Sequence, residues 1–486
     1  MTLLPESAAM IAPALSAAYV AGTWTPGTGP TVAVLSPASG EQVGTVHTAG
    51  PAEVDAAVAA ARSALHSPWR DTTPAERGAM LARLADALAA RKGELADLAT
   101  AEIGSPRSWS TFGQVLTAVG VLRAYAGITP TYAFESTRPS AAGTAIIRQV
   151  PVGVVGAVIP WNTPLFIAAL KLGPALAAGC TVVLKPAPDA PLSIGVLVEA
   201  MEEAGLPAGV VNIVNGGAET GEYLVSHPDV DKVTFTGSTA VGARIASLCG
   251  AQLRRCSTEL GGKSAAIVLP DAPLESTVKG LVAGVMGNNG QLCAALTRIL
   301  LPRSRYDEFA TALTTAVGAL KVGDPADRST DIGPLINEAA RDKVERLLAR
   351  ARQDGAQILV GGERLAGPGW FITPAVVAAT NDMEIAREEV FGPVAVIIEY
   401  DDSAGDSAAV EIANDSRYGL VGAVWSADAE RAAAVGSQLQ AGSVAINSTA
   451  VLDFGSPFGG FKQSGIGREG GPEGIAGFVE YQVIIK

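Results

Sequence analysis

Three residues stand in local contexts that suit them to chemistry at a carbonyl. Cys293, in Asn289-Gly-Gln-Leu-Cys-Ala, follows an apolar helical stretch and sits beside Gly290 and small residues. Exposed backbone N–H groups there can help to hold it as a thiolate. Glu259, in Glu-Leu-Gly-Gly-Lys-Ser, is a carboxylate next to a flexible glycine pair, fit for general-base work once burial raises its pKa. Asn162, in Ile159-Pro-Trp-Asn-Thr-Pro, lies just past a predicted strand end, and its amide can donate to a developing oxyanion. Each has a plain structural alternative when taken singly: a small core cysteine, a capping carboxylate, a turn asparagine. A fourth segment, Phe235-Thr-Gly-Ser-Thr-Ala-Val-Gly, closes a predicted strand and opens a helix, with Gly237 and Gly242 bracketing Ser238. Its helix N-terminus can hold a pyrophosphate, although it lacks the full G-x-G-x-x-G and also reads as a tight strand-to-helix turn.

The elements that must position these residues are legible as an alternation. Apolar residues recur at helical spacing from Pro51 to Ala101, with Pro74 as a second start signal. Thr129 to Val150 has no helical period and ends in a β-prone run, which predicts an extended hairpin or arm outside the main domains. Short apolar runs at Val152–Ile159, Thr181–Leu184, Val210–Val214 and Lys232–Phe235 then alternate with helical stretches at Leu165–Ala178, Ile194–Ala204, Gly221–Ser226 and Ser238–Leu248. That spacing predicts a parallel, doubly wound sheet with ligands beyond the carboxyl ends of its strands. A second α/β series follows: strands at Ala265–Leu269 and Arg298–Pro302, helices at Leu274–Gly287 and Tyr306–Ala319. Two such units in tandem predict a cleft between two domains.

Composition narrows the function. A chain of 486 residues has room for roughly two to three domains. With 48% hydrophobic and 17% charged residues it has ample core material. The net charge of −13, with no basic run, speaks against a nucleic-acid or anionic-membrane partner. Four cysteines (Cys180, Cys249, Cys256, Cys293) without a Cys-x-x-Cys pair do not make a disulfide scaffold and point to a reducing cytoplasm. Three histidines, His47, His66 and His227, are too few and too scattered for a histidine triad or zinc site, so no metal is expected. Met1–Val20 lacks an early Lys or Arg and contains Pro5 and Pro13, so it reads as a loosely ordered extension rather than a secretion signal. No apolar run is long enough to span a membrane without breaks.

Pro-Trp-Asn162, Lys185-Pro-Ala, Phe-Thr-Gly-Ser238, Glu259-Leu-Gly-Gly-Lys, Gly-Gln-Leu-Cys293, Glu388-Glu-Val-Phe-Gly-Pro, Asn414-Asp-Ser-Arg-Tyr-Gly-Leu and Pro457-Phe-Gly-Gly-Phe-Lys-Gln-Ser-Gly-Ile-Gly-Arg occur in that order. Together they resemble the aldehyde dehydrogenase superfamily over nearly the whole chain. The resemblance implies Cys293 as nucleophile, Glu259 as general base, and Asn162 as oxyanion donor beside the Cys293 backbone N–H. It implies Lys171 and Glu469 as a proton relay near the base. Lys185 and Glu389 match residues that hold the two riboses of a dinucleotide. Ile159, Pro160, Trp161, Gly237 and Ser238 match residues lining its path, as do Gly242, Leu260, Gly261 and Phe391. The implied reaction oxidises an aldehyde to its acid through a thioester on Cys293, hydrolysed with Glu259. A glutamate at that position disfavours transfer to coenzyme A, and motif divergence disfavours acyl-phosphate reductases. The alternative is a non-catalytic structural or binding member, which the intact Cys293, Glu259 and Asn162 disfavour.

One position departs from the family pattern. Many NAD-preferring members carry a Glu after Lys-Pro-Ala to bind the adenosine ribose; here it is Pro188. Proline neither makes that contact nor repels a 2′-phosphate, which leaves NADP or dual use as the alternative; NAD is the expected cofactor from its frequency in the family the chain resembles. The aldehyde tunnel is expected from Thr163, Phe166, Ile167, Leu170, Leu292, Leu452 and Phe458, with Asp453 the only charge. That lining predicts a medium-sized apolar aldehyde rather than a dicarboxylic semialdehyde. The implied architecture is a Rossmann-like coenzyme domain (1–128 and 149–258), an α/β catalytic domain (259–460) and a β-arm (129–148 and 474–486) that builds a homodimer or homotetramer.

Overall fold

The computed structural model describes residues 14–486. Residues 1–13 of the expected N-terminal extension lie outside that range. The rest of that reading is corrected: Leu15 bridges to Val46, and Ala18–Val20 is a strand of the first sheet. Ala17 and Ala18 are small enough to bury against Val54, Ala57 and Val154, which holds the segment in place.

Five parallel strands form the heart of an eight-stranded sheet, in the order Val211–Val214, Thr181–Lys185, Val154–Val158, Lys232–Thr236, Arg255–Glu259. The earliest of the five in sequence lies at the centre. The chain builds outward on one side, then crosses back to start the other, so a crevice opens beyond Val158 and Thr236. Alternation along the strands explains the layers. Val154, Val158, Val183, Val233 and Phe235 pack with Val54 and Val58 of the helix Pro51–Ala64. Val155, Ala157, Val182 and Leu184 pack with Leu165 to Ala178 of the helix Pro164–Ala178. Burial on both faces is why these strands read as unbroken apolar runs.

Two elements of this half were not legible. The strand Arg255–Glu259 is Arg-Cys-Ser-Thr-Glu, with no apolar run, yet it pairs parallel to Lys232–Thr236 and sets Glu259 opposite Thr236. On its other side Gly465–Ile466 returns antiparallel from near the C-terminus, with Gly465 opposite Glu259. The strands Thr31–Leu35 and Gln42–His47 form a separate hairpin.

A seven-stranded sheet forms the second half: Gln357–Val360, Ala375–Ala378, Val394–Tyr400, Arg298–Pro302, Ala265–Val268, Val421–Trp425 and Ser443–Ile446, parallel except for the first. Residues 260–264 carry the chain from the end of the first sheet into the start of the second. Cys293 lies in the loop between the helix Leu274–Met286 and the strand Arg298–Pro302. The carboxyl ends of one sheet therefore face the amino ends of the other. A third, three-stranded antiparallel sheet joins Val479–Ile485, Gly143–Pro151 and Glu135–Ser140, largely exposed.

Candidate active site

The segment before Cys293 is bent by three successive left-handed residues, Asn288 (φ +50°), Asn289 (φ +59°) and Gly290 (φ +72°). Asparagine tolerates this conformation better than most side chains, and here both asparagines also bond across the bend. Asn289 Nδ2 donates to the carbonyls of Gly104 (2.9 Å) and Pro334 (2.8 Å), and its Oδ1 accepts from Gly333 N–H at 2.7 Å. A Cβ on Gly290 would lie 2.1 Å from the Gly392 carbonyl, so only glycine fits. Gly262 is bare for a related reason: a Cβ there would lie 2.5 Å from the Cys293 carbonyl.

Cys293 keeps part of its surface open, but its sulfur is deep. Burial, with the Glu389 and Glu259 carboxyls nearby, pushes the thiol up to about 12. The backbone N–H groups of Ala294 and Cys293 do point at the sulfur and oppose the shift, as expected, but they are outweighed. Burial thus opposes the thiolate that the exposed N–H groups favour.

Asn162 is 5% exposed and fixed on both sides. Its carbonyl accepts from Gln114 Nε2 (2.8 Å) and Asn288 Nδ2 (3.0 Å), and its own Nδ2 donates to the Gln291 carbonyl at 2.9 Å. One amide N–H is thereby spent beside the Cys293 loop and the second is left over. Gln291 Oε1 in turn accepts from Ile336 N–H at 3.0 Å.

Glu259 is 5% exposed, and neither carboxyl oxygen has a hydrogen-bond partner. Burial, then the Glu469 charge, raises its pKa well above the carboxylate range, against Lys171 and Arg468. A Cβ on Gly459 would lie 2.6 Å from Glu259 Oε1, so this bare glycine borders the carboxyl. Lys171, in the helix Pro164–Ala178, is fully buried and paired with Glu469, itself 3% exposed. The backbone of Glu469 is pinned by exchange of N–H and carbonyl with Phe458.

The dinucleotide-side residues fall into two groups. Lys185, 4% exposed, donates from Nζ to the carbonyls of Pro186 and Gly216, both at 2.6 Å, and burial lowers its pKa to about 8. Pro188 follows at the half-buried turn, Ile159 N–H donates to the Lys185 carbonyl at 3.1 Å, and Pro160 leads on to Trp161. Ser238 caps the helix Thr239–Ala251, its Oγ accepting from Val241 N–H at 3.4 Å. A Cβ on Gly237 would lie 2.4 Å from the Phe235 ring. Gly242 has a packing role instead, since its Cβ would lie 2.3 Å from Leu260 Cδ2. Near Cys293, Glu389 Oε1 accepts from Gly262 N–H at 3.1 Å and its carboxyl covers Gly261. Phe391 holds a left-handed backbone (φ +59°), uncommon for an aromatic residue, and its ring meets Trp161 edge to face at 5.5 Å.

Of the tunnel residues, Thr163, Phe166, Ile167 and Leu170 are buried at the start of one helix. Leu452 packs against both the cluster holding Phe166 and Leu170 and the cluster holding Phe458 and Cys293. Leu292 shares the space over Gly287 with the Trp109 indole. Trp109 beside Leu292, and Phe454, which lies 6.4 Å from Phe166, extend this apolar lining. No pattern marked them, and Trp109 directly precedes a wide π-helical stretch, Ser110–Leu116, that breaks the regular period. Gln114, Asn288, Gln291 and Lys343, whose charge acts on Glu389, were also missed. Polar loop residues carry no periodic signal; Asn288 and Asn289, adjacent to the Cys293 motif, were the best available hint.

Comparison with known proteins decides the family. The model described as the aldehyde dehydrogenase family matches residues 24–484. The chain belongs to the aldehyde dehydrogenase family. Aldehyde oxidation with a nicotinamide dinucleotide is therefore its reaction class. It is 44% identical to geranial dehydrogenase of Castellaniella defragrans over 96% of this chain and 98% of that protein. It is 39% identical to 2-hydroxymuconic semialdehyde dehydrogenase of Pseudomonas putida, over 93% and 94% respectively. The Mycobacterium tuberculosis aldehyde dehydrogenase solved with NAD+ superposes with a TM-score of 0.95 at 44% identity, covering 98% of this chain and 99% of that one. The Bacillus cereus aldehyde dehydrogenase–NAD+ complex gives 0.93 at 38% identity, over 97% and 96%. No helix among the described residues is long and apolar enough to cross a membrane.

Proposed function

We propose that this aldehyde dehydrogenase oxidises a medium-sized apolar aldehyde to its carboxylic acid through a thioester on Cys293. The reading rests on one observation above all: a buried glutamate, Glu259, with both oxygens unpartnered and close enough for its charge to act on the Cys293 sulfur. Burial disfavours the charged form of both groups, so the carboxylate form of Glu259, when present, is a strong base towards the Cys293 thiol. Glu259 takes the Cys293 proton as the sulfur adds to the aldehyde carbon. The free amide N–H of Asn162 and the backbone N–H of Cys293 receive the oxyanion. Later Glu259 takes a proton from the water that cleaves the thioester, and the buried Lys171–Glu469 pair lies next in line to pass it on.

The residues present fit a nicotinamide dinucleotide. The crevice at the sheet's crossover point, the helix start at Ser238, the Trp161–Phe391 edge contact and the anchored Glu389 carboxyl form a continuous path from Lys185 to Cys293. A bound dinucleotide supplies the hydride acceptor that turns the Cys293 adduct into a thioester. NAD is the favoured form, because it is the one seen in the two related complexes above; Pro188 leaves NADP as a second reading. The names of the relatives span geranial and a semialdehyde, so likeness alone does not choose the substrate. The lining supports the apolar reading: Trp109, Phe166, Leu170, Leu292, Leu452 and Phe454 offer no cation to a second carboxylate.

The same reading assigns 1–128 and 149–258 to coenzyme binding, 259–460 to catalysis, and the exposed three-stranded sheet, within 129–148 and 474–486, to assembly of a homodimer or homotetramer. Free thiols suit a reducing cytoplasm. The test is a panel of aldehydes with NAD or NADP, followed through the reduced nicotinamide, beside a Cys293→Ala control. Turnover of hexanal-like aldehydes in preference to succinic semialdehyde supports the proposal, and the reverse preference overturns the tunnel reading.

A further inference from the structure

The strand Thr181–Lys185 lies beside Val154–Val158, the strand at the centre of the first sheet, and is the next in sequence. In sheets wound this way a dinucleotide crosses the carboxyl ends of the strands, and an acidic side chain past the second strand meets the adenosine ribose. The turn after Lys185 reads Pro186-Ala-Pro-Asp-Ala-Pro191. Its one side chain able to hydrogen-bond is Asp189, which is half-buried.

Among the described residues the Asp189 carboxyl takes one hydrogen bond, on Oδ1 from Asn337 Nδ2 at 3.1 Å, which leaves Oδ2 free. Asn337 is itself fixed in the second half of the molecule. Its Oδ1 accepts from Ala340 N–H at 2.9 Å as the cap of the helix Glu338–Gln353. The flanking residues are held too, because fully buried Ala190 packs in one cluster with Ile336 and Trp161. The carboxylate therefore has one place, on the seam between the halves.

The groups that could welcome a phosphate at this turn are already engaged. Lys185 Nζ donates to the carbonyls of Pro186 and Gly216, both at 2.6 Å. The helix Leu192–Glu203 starts where the turn ends, and a free helix start would offer its first N–H groups to an anion. Here Leu192 N–H and Ser193 N–H donate to Glu102, at 2.7 and 3.1 Å, and Glu102 is fully buried. The turn itself holds no Lys or Arg. A phosphate arriving there meets the Asp189 charge with nothing in the turn to offset it.

We propose that Asp189, positioned by Asn337, sets the coenzyme choice: its free oxygen accepts from the 2′-hydroxyl of the adenosine ribose of NAD, and its charge turns away the 2′-phosphate of NADP. The proposal rests on reading the crevice as the dinucleotide site. A ribose hydroxyl can donate to a carboxylate, whereas a 2′-phosphate, largely doubly charged at neutral pH, brings only acceptors. One side chain thus favours NAD by attraction and disfavours NADP by repulsion.

The experiment titrates the full chain with NAD and with NADP in a calorimeter, without aldehyde and at constant ionic strength, so that binding alone is read. The parent protein is expected to bind NAD at least about tenfold more tightly than NADP. Asp189→Asn removes the charge but keeps an acceptor for Asn337; NADP affinity should rise about tenfold, with NAD affinity falling only slightly. Asn337→Ala, which lets the carboxylate move, should narrow the preference by a smaller factor. The ratio of the two constants is the readout, since a merely structural loss weakens both coenzymes alike. If a variant does not fold, the ratio in the parent decides. A parent that binds NADP as tightly as NAD, or an Asp189→Asn variant that keeps the parent ratio, overturns the proposal. Failure to bind either coenzyme overturns the dinucleotide reading beneath it.

Discussion

At the scale of the residue, burial sets the proton affinity of the groups at the site. Glu259 carries its proton well above the range of an exposed carboxylate, because burial and the Glu469 charge outweigh Lys171 and Arg468. Only the deprotonated form can accept a proton, so turnover should rise with pH through that raised value and fall away below it. A profile of kcat against pH checks this, and a flat profile down to the ordinary carboxylate range would contradict it. Asn162 offers one free amide N–H to the oxyanion while the other is tied to Gln291. Asn162→Ala should lower kcat by about 10²–10³-fold. Because its carbonyl contacts with Gln114 and Asn288 survive the substitution, the melting temperature should change little, and calorimetry beside kinetics separates the two effects.

At the scale of the element, two loops do what no helix or strand does here. The left-handed run Asn288–Gly290 turns the chain so that Cys293 faces Gly262, and Asn289 bonds this bend to Gly104, Gly333 and Pro334. Asn289→Ala removes all three bonds and puts alanine at φ +59°. At about 1 kcal/mol net for each bond, the loss should be roughly 2–4 kcal/mol, read from denaturant unfolding, with a matching fall in Cys293 alkylation control. These loops also mark the limit of what the sequence discloses. Buried parallel strands such as Val154–Val158 announce themselves, since both faces need apolar side chains. The strand Arg255–Glu259 did not, because its pairing with Lys232–Thr236 is set by the sheet rather than by its own polar residues. Nor did the π-helical turn Ser110–Leu116, which breaks the regular period, or the hydrogen bonds that fix Asn162, whose partners Gln114, Asn288 and Gln291 lie 48 to 129 residues away. Cys293, Glu259 and Asn162 were proposed as a set from their ordered motifs, while the burial that raises the Cys293 thiol is a depth that no motif encodes.

At the scale of the whole molecule, the carboxyl ends of one parallel sheet face the amino ends of the other, and the Cys293 loop lies at that seam. The link is covalent and short, residues 260–264, and it is reinforced by the return of Gly465–Ile466 to the first sheet. The third sheet stands apart from both cores. On its edge strand Tyr481 is 68%, Val483 56% and Ile485 58% exposed, side chains on one face with nothing among the described residues to cover them. Exposed apolar rows of this kind mark contact surfaces. Replacing Tyr481 and Val483 by Asp should shift the protein to a smaller species in sedimentation, with the sheets intact by circular dichroism; an unchanged sedimentation coefficient would show that assembly lies elsewhere.

The central claim is that Cys293 carries the acyl group and Glu259 governs its release. The most direct measurement mixes the Glu259→Gln variant with NAD and hexanal, quenches it, and weighs the Cys293 peptide. The account predicts that as pH is raised, so that solvent base ionises the Cys293 thiol in place of Glu259, one equivalent of reduced nicotinamide appears, followed by slow turnover, with a hexanoyl thioester accumulating on Cys293. A burst without an acyl group on that peptide, or steady turnover at the parent rate, would contradict it.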